Sequence, residues 1–330
     1  MVEAAPSTEQ HTAGEQWRRA AMRLAVFAVL LILLDQLLGA GLTVLFRRVR
    51  TGDMGGKLQL ALDQRPDVLV LGSSRAVHHV DGAQLGRDLG QAVYNAGVNG
   101  QEIYYAYLLL QLWQARGLPV PKRVLLQIEP TSLHEMPGEL ASVALFGPLM
   151  DESPAVRDVL YSRSRWEPVK YLFKTYRFNG RVLAVLRNQA RSAEGRPDGF
   201  EPMDGQLPAG TPPKPEVLAA QQAQAGPMDP PKTRMLAELH AWCRDHSSQL
   251  VLFHTPNWRD DAVAHAALLA HVAALQQQLP GLGWIDLSRH ARPGLADRPE
   301  LYVDEGHLNR EGARLVTAEL ARQLLRLPKP

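Results

Sequence analysis

Cysteine is nearly absent from this 330-residue chain, in which Cys243 is the single one. That excludes an intrachain disulfide framework and any multi-cysteine zinc site. No H-E-x-x-H run occurs either, so no motif points to a metal or another cofactor. An excess of one charge sign is also missing. Thirty-six Lys and Arg stand against 34 Asp and Glu, and a net charge of +2 gives no footprint for nucleic acid. What the chain does have is 45% hydrophobic and 21% charged residues, enough for a packed core and against wholesale disorder. Its length allows about two domains at most.

Long apolar runs are absent with one exception, residues 24–46, LAVFAVLLILLDQLLGAGLTVLF. At 1.5 Å per residue this stretch reaches about 34 Å, against about 30 Å for a bilayer core. Arg18, Arg19 and Arg23 precede it and Arg47, Arg48 and Arg50 follow, where long cationic side chains reach the headgroups. A cleavable signal peptide is the competing reading. The run exceeds the usual apolar region of about 7–15 residues and no A-x-A site follows, which favours an uncleaved anchor behind a tail of residues 1–23. Asp35, in mid-span, costs roughly 2.5–3.5 kcal/mol there, so it is expected to face another membrane helix or to be protonated. Arginines on both sides leave orientation undetermined by charge.

Residues 47–65 read as a linker with an amphipathic stretch. From 66 to 330, short apolar runs at 67–71, 92–94, 123–128, 249–253 and 284–287 alternate with helical stretches at 102–116, 234–246, 262–278 and 310–325. Such alternation predicts an α/β domain with a central parallel sheet. Residues 134–187 lack strand periodicity and read as a helical insertion. Residues 188–232, rich in Pro, Gly and Gln, read as a long loop.

Strand ends carry the chemistry of open α/β sheets. After the first strand comes Gly72-Ser73-Ser74-Arg75, a position equally suited to an exposed serine nucleophile and to a helix cap. After the second comes Asn95-Ala-Gly97-Val-Asn99-Gly100, suited to an oxyanion hole or to an ordinary turn. Before the last helix comes Asp304-Glu-Gly-His307, where a helical turn or tight loop would let the carboxylate orient the imidazole as a base. Each signal has a bland alternative, and it is their joint order that discriminates.

That order resembles the SGNH (GDSL-like) hydrolase superfamily over residues 66–330. "DVLVLGSSR" is similar to its first block and places the nucleophile at Ser74, whose N–H is also an oxyanion donor. "YNAGVNG" is similar to the second and places another oxyanion N–H at Gly97; "DEGHLNREG" is similar to the last and gives Asp304 as orienting acid and His307 as base. The resemblance implies a three-layer, flavodoxin-like fold. Two departures stand out. Ser73 replaces the commoner Asp, and the usual Gly-x-Asn-Asp block is missing where the third strand runs into Gln127-Ile-Glu129, leaving Asn99 as the candidate for the absent amide. With the anchor, these features look more like the membrane-anchored branch, which includes the D-alanine-transfer protein of teichoic acid synthesis and alginate O-acetylation proteins. The branch implies an extracytoplasmic domain, an envelope glycan as acyl acceptor and a membrane-bound O-acyltransferase as partner. A non-catalytic subunit of such a system and a stand-alone esterase are the alternatives.

Four more residues are candidate substrate contacts. Arg75 can meet an anion, with a plain salt bridge as its alternative. Glu129 ends the third strand, and His254 and Asn257 end the fourth. His78 and His79 read as half-exposed helix residues, and Trp113 and Trp242 as packing. The anchor reading predicts that the membrane-bound protein keeps its full N-terminus and resists alkaline carbonate extraction. Mass spectrometry of the membrane fraction checks this, and a chain lacking its first 40 or so residues would mean a cleaved signal instead.

Overall fold

The computed structural model describes residues 13–189, 197–212, 227–258 and 262–328. Most of the N-terminal tail (1–12) and much of the Pro/Gly/Gln-rich stretch (190–196 and 213–226) lie outside the described residues. The chain opens with one long helix, α1 (Ala13–Arg48), free of proline and rich in Leu, Val and Ala. It is long and apolar enough to cross a membrane. Gly14 to Leu34 are exposed all round, and contact with the rest of the protein starts at Asp35.

A π-turn (Gly52–Gly56) leads into α2 (Lys57–Asp63). The domain then runs β1 (Val68–Leu71), α3 (Ser74–His79), α4 (Gly82–Leu89), β2 (Val93–Asn95), α5 (Ile103–Ala115) and β3 (Arg123–Gln127). The stretch 134–187 is a string of short helices. These are α6 (Glu139–Ser142), α7 (Pro154–Ser162), α8 (Glu167–Lys170) and α9 (Val182–Gln189), with 3-10 segments at Val143–Glu152 and Thr175–Phe178. The last part is α10 (Pro230–Asp245), β4 (Gln249–His254), α11 (Ala262–Gln278), β5 (Gly283–Asp286), a hairpin of β6 (Tyr302–Asp304) and β7 (His307–Leu308), and α12 (Arg310–Arg326).

Strands β1 to β5 form one parallel sheet in the order β2-β1-β3-β4-β5, with Val70 opposite Leu125 and Leu125 opposite Val251. The strands read VLVL, RVLLQ and QLVLFH because both faces are covered, so apolar side chains are needed at successive positions. Alternate residues serve opposite faces. Leu69, Leu71, Val124, Leu126, Leu250 and Leu252 share one core with α2, α5 and α10. Val68, Val70, Leu125, Val251 and Phe253 share another with α3, α4 and α12. The protein is therefore α/β with helices on both faces of a parallel sheet.

The strand order places a topological switch between β1 and β3: the chain leaves β1 for one side and returns on the other. The carboxyl ends of these two strands diverge there and open a crevice. The chain enters α3 through Gly72, whose φ is 139°. A Cβ there would lie 2.6 Å from Gln127 Cβ and 3.0 Å from Ala76 Cβ. Gly72→Ala is expected to cost about 3 kcal/mol through strain and overpacking together. Gly90→Ala, at a helix end with φ 64° and open space around it, is expected to cost only about 1 kcal/mol. Paired urea unfolding curves check the contrast.

Candidate active site

Ser74 opens α3 directly beyond the carboxyl end of β1 and is half-buried. Its Oγ lies 2.8 Å from His307 Nε2, bridging 233 positions of sequence. His307 Nδ1 lies 3.0 Å from both oxygens of Asp304. Those partners assign the tautomer: Nδ1–H donates to the carboxylate, and the Nε2 lone pair accepts from the serine hydroxyl. Asp304 and His307 face one another across the two-residue turn of the β6–β7 hairpin, the tight-loop form of the D-x-x-H spacing. Asp304 Oδ1 also accepts the N–H groups of Gly306 (2.7 Å) and His307 (3.0 Å), which fixes the carboxylate to its own turn.

The electrostatics suit a base. Burial pushes the His307 ring below the ordinary value of 6.5; Arg75 and His78 act the same way, and Asp304 only partly offsets them. Burial alone would raise the Asp304 carboxyl, but hydrogen bonds from the His307 ring and the Gly306 N–H outweigh it and hold the group below its usual range. At neutral pH the pair is a carboxylate and a neutral imidazole, the state that can take a proton from Ser74.

Three supports hold this geometry. His79 is wholly buried and not half-exposed as expected from sequence. Its Nε2 accepts the Leu308 N–H at 3.0 Å and its Nδ1–H donates to Thr255 Oγ1 at 2.9 Å, so it pins β7 next to the base. Burial drives its pKa well down, which keeps it neutral. Trp258, buried after β4, donates its backbone N–H to Glu305 O at 2.8 Å and packs its ring at a tilt against Tyr302. Residues 198–207, read from sequence as part of a loop, run as a strap across the crevice edge. Asn95 N–H donates to Asp198 O, Glu201 N–H to Val77 O and Leu207 N–H to Tyr302 O, while His78 Nδ1 donates to Glu201 O at 2.6 Å. Sequence reasoning missed the strap because its polar, glycine-bearing run has no periodicity; its order comes from these long-range bonds.

The oxyanion and substrate candidates fare differently. Gly97 packs against the first turn of α3, but its N–H donates to Asn95 Oδ1 at 3.1 Å and would have to leave that bond to serve an oxyanion. Asn95 is itself fixed by donating to Ala76 O and Val80 O. Asn99 is exposed on the following turn. The Ser74 N–H lies in the first turn of α3, where helix geometry supplies no intrahelical acceptor. Arg75 does not project into open space as an anion contact. It is ion-paired with Glu129 and donates Nε–H to Gly306 O at 3.2 Å. Glu129 also accepts from Gln127, whose Oε1 accepts from Ser73 Oγ at 2.9 Å. Arg75 and Glu129 thus join the ends of β1 and β3 to the turn carrying His307. His254 is buried, with Nδ1 donating to Ile128 O at 2.9 Å, and Asn257 is fully buried; neither lines an open groove. Trp113 is buried, and its Nε1–H reaches Pro119 O at 2.9 Å.

A second serine–histidine–aspartate grouping, Ser288, His265 and Asp286, is not a relay. Ser288 Oγ (3.0 Å) and Asp286 Oδ2 (2.7 Å) meet the same His265 Nε2, and one nitrogen cannot both donate to the acid and accept from the serine. Ser288 is also fully buried. Among the described residues no group of three or more His, Cys, Asp or Glu is placed to hold a metal ion. No family model matches the chain, and no curated protein does.

Because the His307 pKa is depressed in the folded protein, any Ser74-dependent activity should be full at pH 7. It should fall only as pH drops below 6.5, when the ring protonates and loses its lone pair. A pH–rate profile on an aryl acetate checks this; a limb above 6.5 would contradict the assignment.

Proposed function

We propose that this protein is a membrane-anchored serine esterase or O-acyltransferase of the SGNH type, moving an acyl group, with acetyl the first candidate, to or from a cell-envelope polysaccharide. The observation that carries the reading is the Ser74–His307–Asp304 relay, made by residues from opposite ends of the domain. The 2-1-3-4-5 order of the parallel sheet, common to many doubly wound folds, supports the reading, because Ser74 follows β1 at the switch point. The apolar α1 is long enough for the single-pass anchor of this reading, and the extracytoplasmic side of the domain follows from the motif resemblance alone.

In this mechanism His307 Nε2 takes the Ser74 proton as Oγ attacks the ester carbonyl. The tetrahedral oxyanion takes a hydrogen bond from the Ser74 N–H, with Gly97 N–H joining once released from Asn95. Collapse expels the alcohol, which takes the proton from His307 and leaves an acyl-Ser74. A glycan hydroxyl, or water, then gives its proton to His307 and attacks the acyl carbon; collapse breaks the bond to Ser74 Oγ, which takes the proton back from His307 and restores the hydroxyl. Asp304 stays ionised throughout and stabilises the imidazolium. No cofactor is called for.

The engaged Gly97 N–H and the missing Gly-x-Asn-Asp block favour one second reading, a domain that becomes competent only beside a membrane-bound O-acyltransferase. A fluorophosphonate probe on the detergent-solubilised full chain tests both. The expectation is labelling that Ser74→Ala abolishes and His307→Ala lowers by at least about 100-fold, the usual worth of a general base. Ser288→Ala and Ser73→Ala should retain it. A folded wild type that takes no label in isolation would overturn the stand-alone enzyme and leave the partner-dependent one.

A further inference from the structure

The domain-side half of α1 does not stand free. Asp35, which the sequence places in mid-span, accepts the N–H groups of Lys174 (2.7 Å) and Thr175 (3.1 Å) and the Thr175 hydroxyl. The carboxylate meets neither a second membrane helix nor an unpaired site; the chain's own insertion satisfies it. Gln36 Nε2–H donates to Leu172 O at 3.0 Å, and a Cβ on Gly39 would overlap Lys174 Cβ, so the helix and the insertion touch backbone to backbone. Further along, Gln189 Nε2–H reaches Leu45 O at 2.6 Å and Phe46 stacks edge-on to Phe178.

These contacts conflict with a span made of α1 alone. From Arg23 to Asp35 the helix rises about 18 Å, some 12 Å less than a hydrocarbon core. A core beginning at Arg23 ends near Thr43, well inside the packed half. Whatever packs on α1 from Asp35 to Thr43 is then at membrane depth as well. The insertion surface beside it is apolar and uncovered. Trp166, Val169, Leu172, Phe173, Leu183 and Leu186 are all exposed, Leu172 to 68% and Leu183 to 82%. A soluble face would not concentrate such side chains. Charge agrees: residues 161–189 hold seven Lys and Arg against a single carboxylate, Glu167, and although Arg163 and Lys170 pair with Glu167 and Arg177 with Asp151, the balance stays positive, which suits anionic headgroups.

We infer that the 166–186 segment of the insertion is a second membrane element, a monotopic collar whose apolar face lies in one leaflet alongside α1, with its basic residues at the headgroups. The occupant of the face is lipid. The collar explains how a carboxylate is tolerated in the span, since backbone and hydroxyl donors meet it inside protein and not in hydrocarbon. It also holds the domain against the bilayer at a fixed tilt, where a flexible tether would leave it free. The inference rests on α1 crossing the membrane and not on the chemistry of Ser74.

The test uses the full chain in vesicles of phosphatidylcholine and phosphatidylglycerol, with single cysteines carrying an environment-sensitive NBD label; native Cys243 is buried and stays unlabelled. Labels go at Leu172→Cys and Leu183→Cys, at Leu30→Cys inside the free half of α1, and at Leu325→Cys, an exposed leucine on α12. The expected result is blue-shifted emission at 172 and 183, quenched by nitroxide-bearing lipids as strongly as at 30, with no quenching at 325. Emission at 172 and 183 that matches 325 while 30 is quenched would overturn the collar and keep the anchor. Emission there that is blue-shifted but not quenched would overturn lipid as the occupant, since a second copy of the chain is then the cover. Absence of quenching at 30 would overturn the membrane span and the collar together.

Discussion

The turn out of β1 at Gly72 has a backbone angle that glycine alone takes without strain, and Gln127 and Ala76 leave no space for a Cβ. The position of Ser74 follows from that turn. It directs the chain from the sheet into α3 within two residues, and Gln127 of the neighbouring strand comes close enough to hold Ser73. Ser74 is thereby set at the end of a sheet strand and not on a long loop. Asn95 completes the constraint from the other side by tying β2 to Ala76 O in α3 and to Val80 O just beyond it.

Polar groups beneath the site are bonded to one another more than they face outward. Ser73, Gln127, Glu129 and Arg75 form a chain ending on Gly306 O, in the turn between the acid and the base. A buried ion pair such as Arg75–Glu129 gives little net stability, because desolvation of both partners cancels most of the attraction. Its physical effect is registration: it links the carboxyl ends of β1 and β3 to a hairpin that the main sheet does not include. The positive charge it places near His307 also helps keep the imidazole neutral.

Much of this was legible in the sequence. The five strands are compact Val/Leu-rich runs, and Ser74, Asp304 and His307 were marked by position relative to them. What escaped has a common physical reason. His254 and Asn257 sit at a strand end, the right address for a site, but burial depends on what packs above them. His79 reads as any helix histidine until Leu308 arrives from 229 positions away. The 198–207 strap carries no pattern because main-chain bonds to distant elements order it. The apolar run 24–46 was visible as a span, but hydropathy counts side chains along one helix. It cannot register that Gly39 lets another segment press against the half containing Asp35.

The relay spans almost the whole domain in sequence. Ser74 leaves the ribosome more than 200 residues before His307, and nothing nearer in the chain provides its base. During synthesis the serine is therefore an ordinary hydroxyl. It meets the imidazole only when the final hairpin has folded back over α3 and α12 has closed on the sheet. A chain truncated between Asp286 and His307 would carry the long helix, all five sheet strands and Ser74, yet lack the imidazole. Contacts of this long range also tend to slow folding. The Ser74–His307 contact is thus among the last that the growing chain can make.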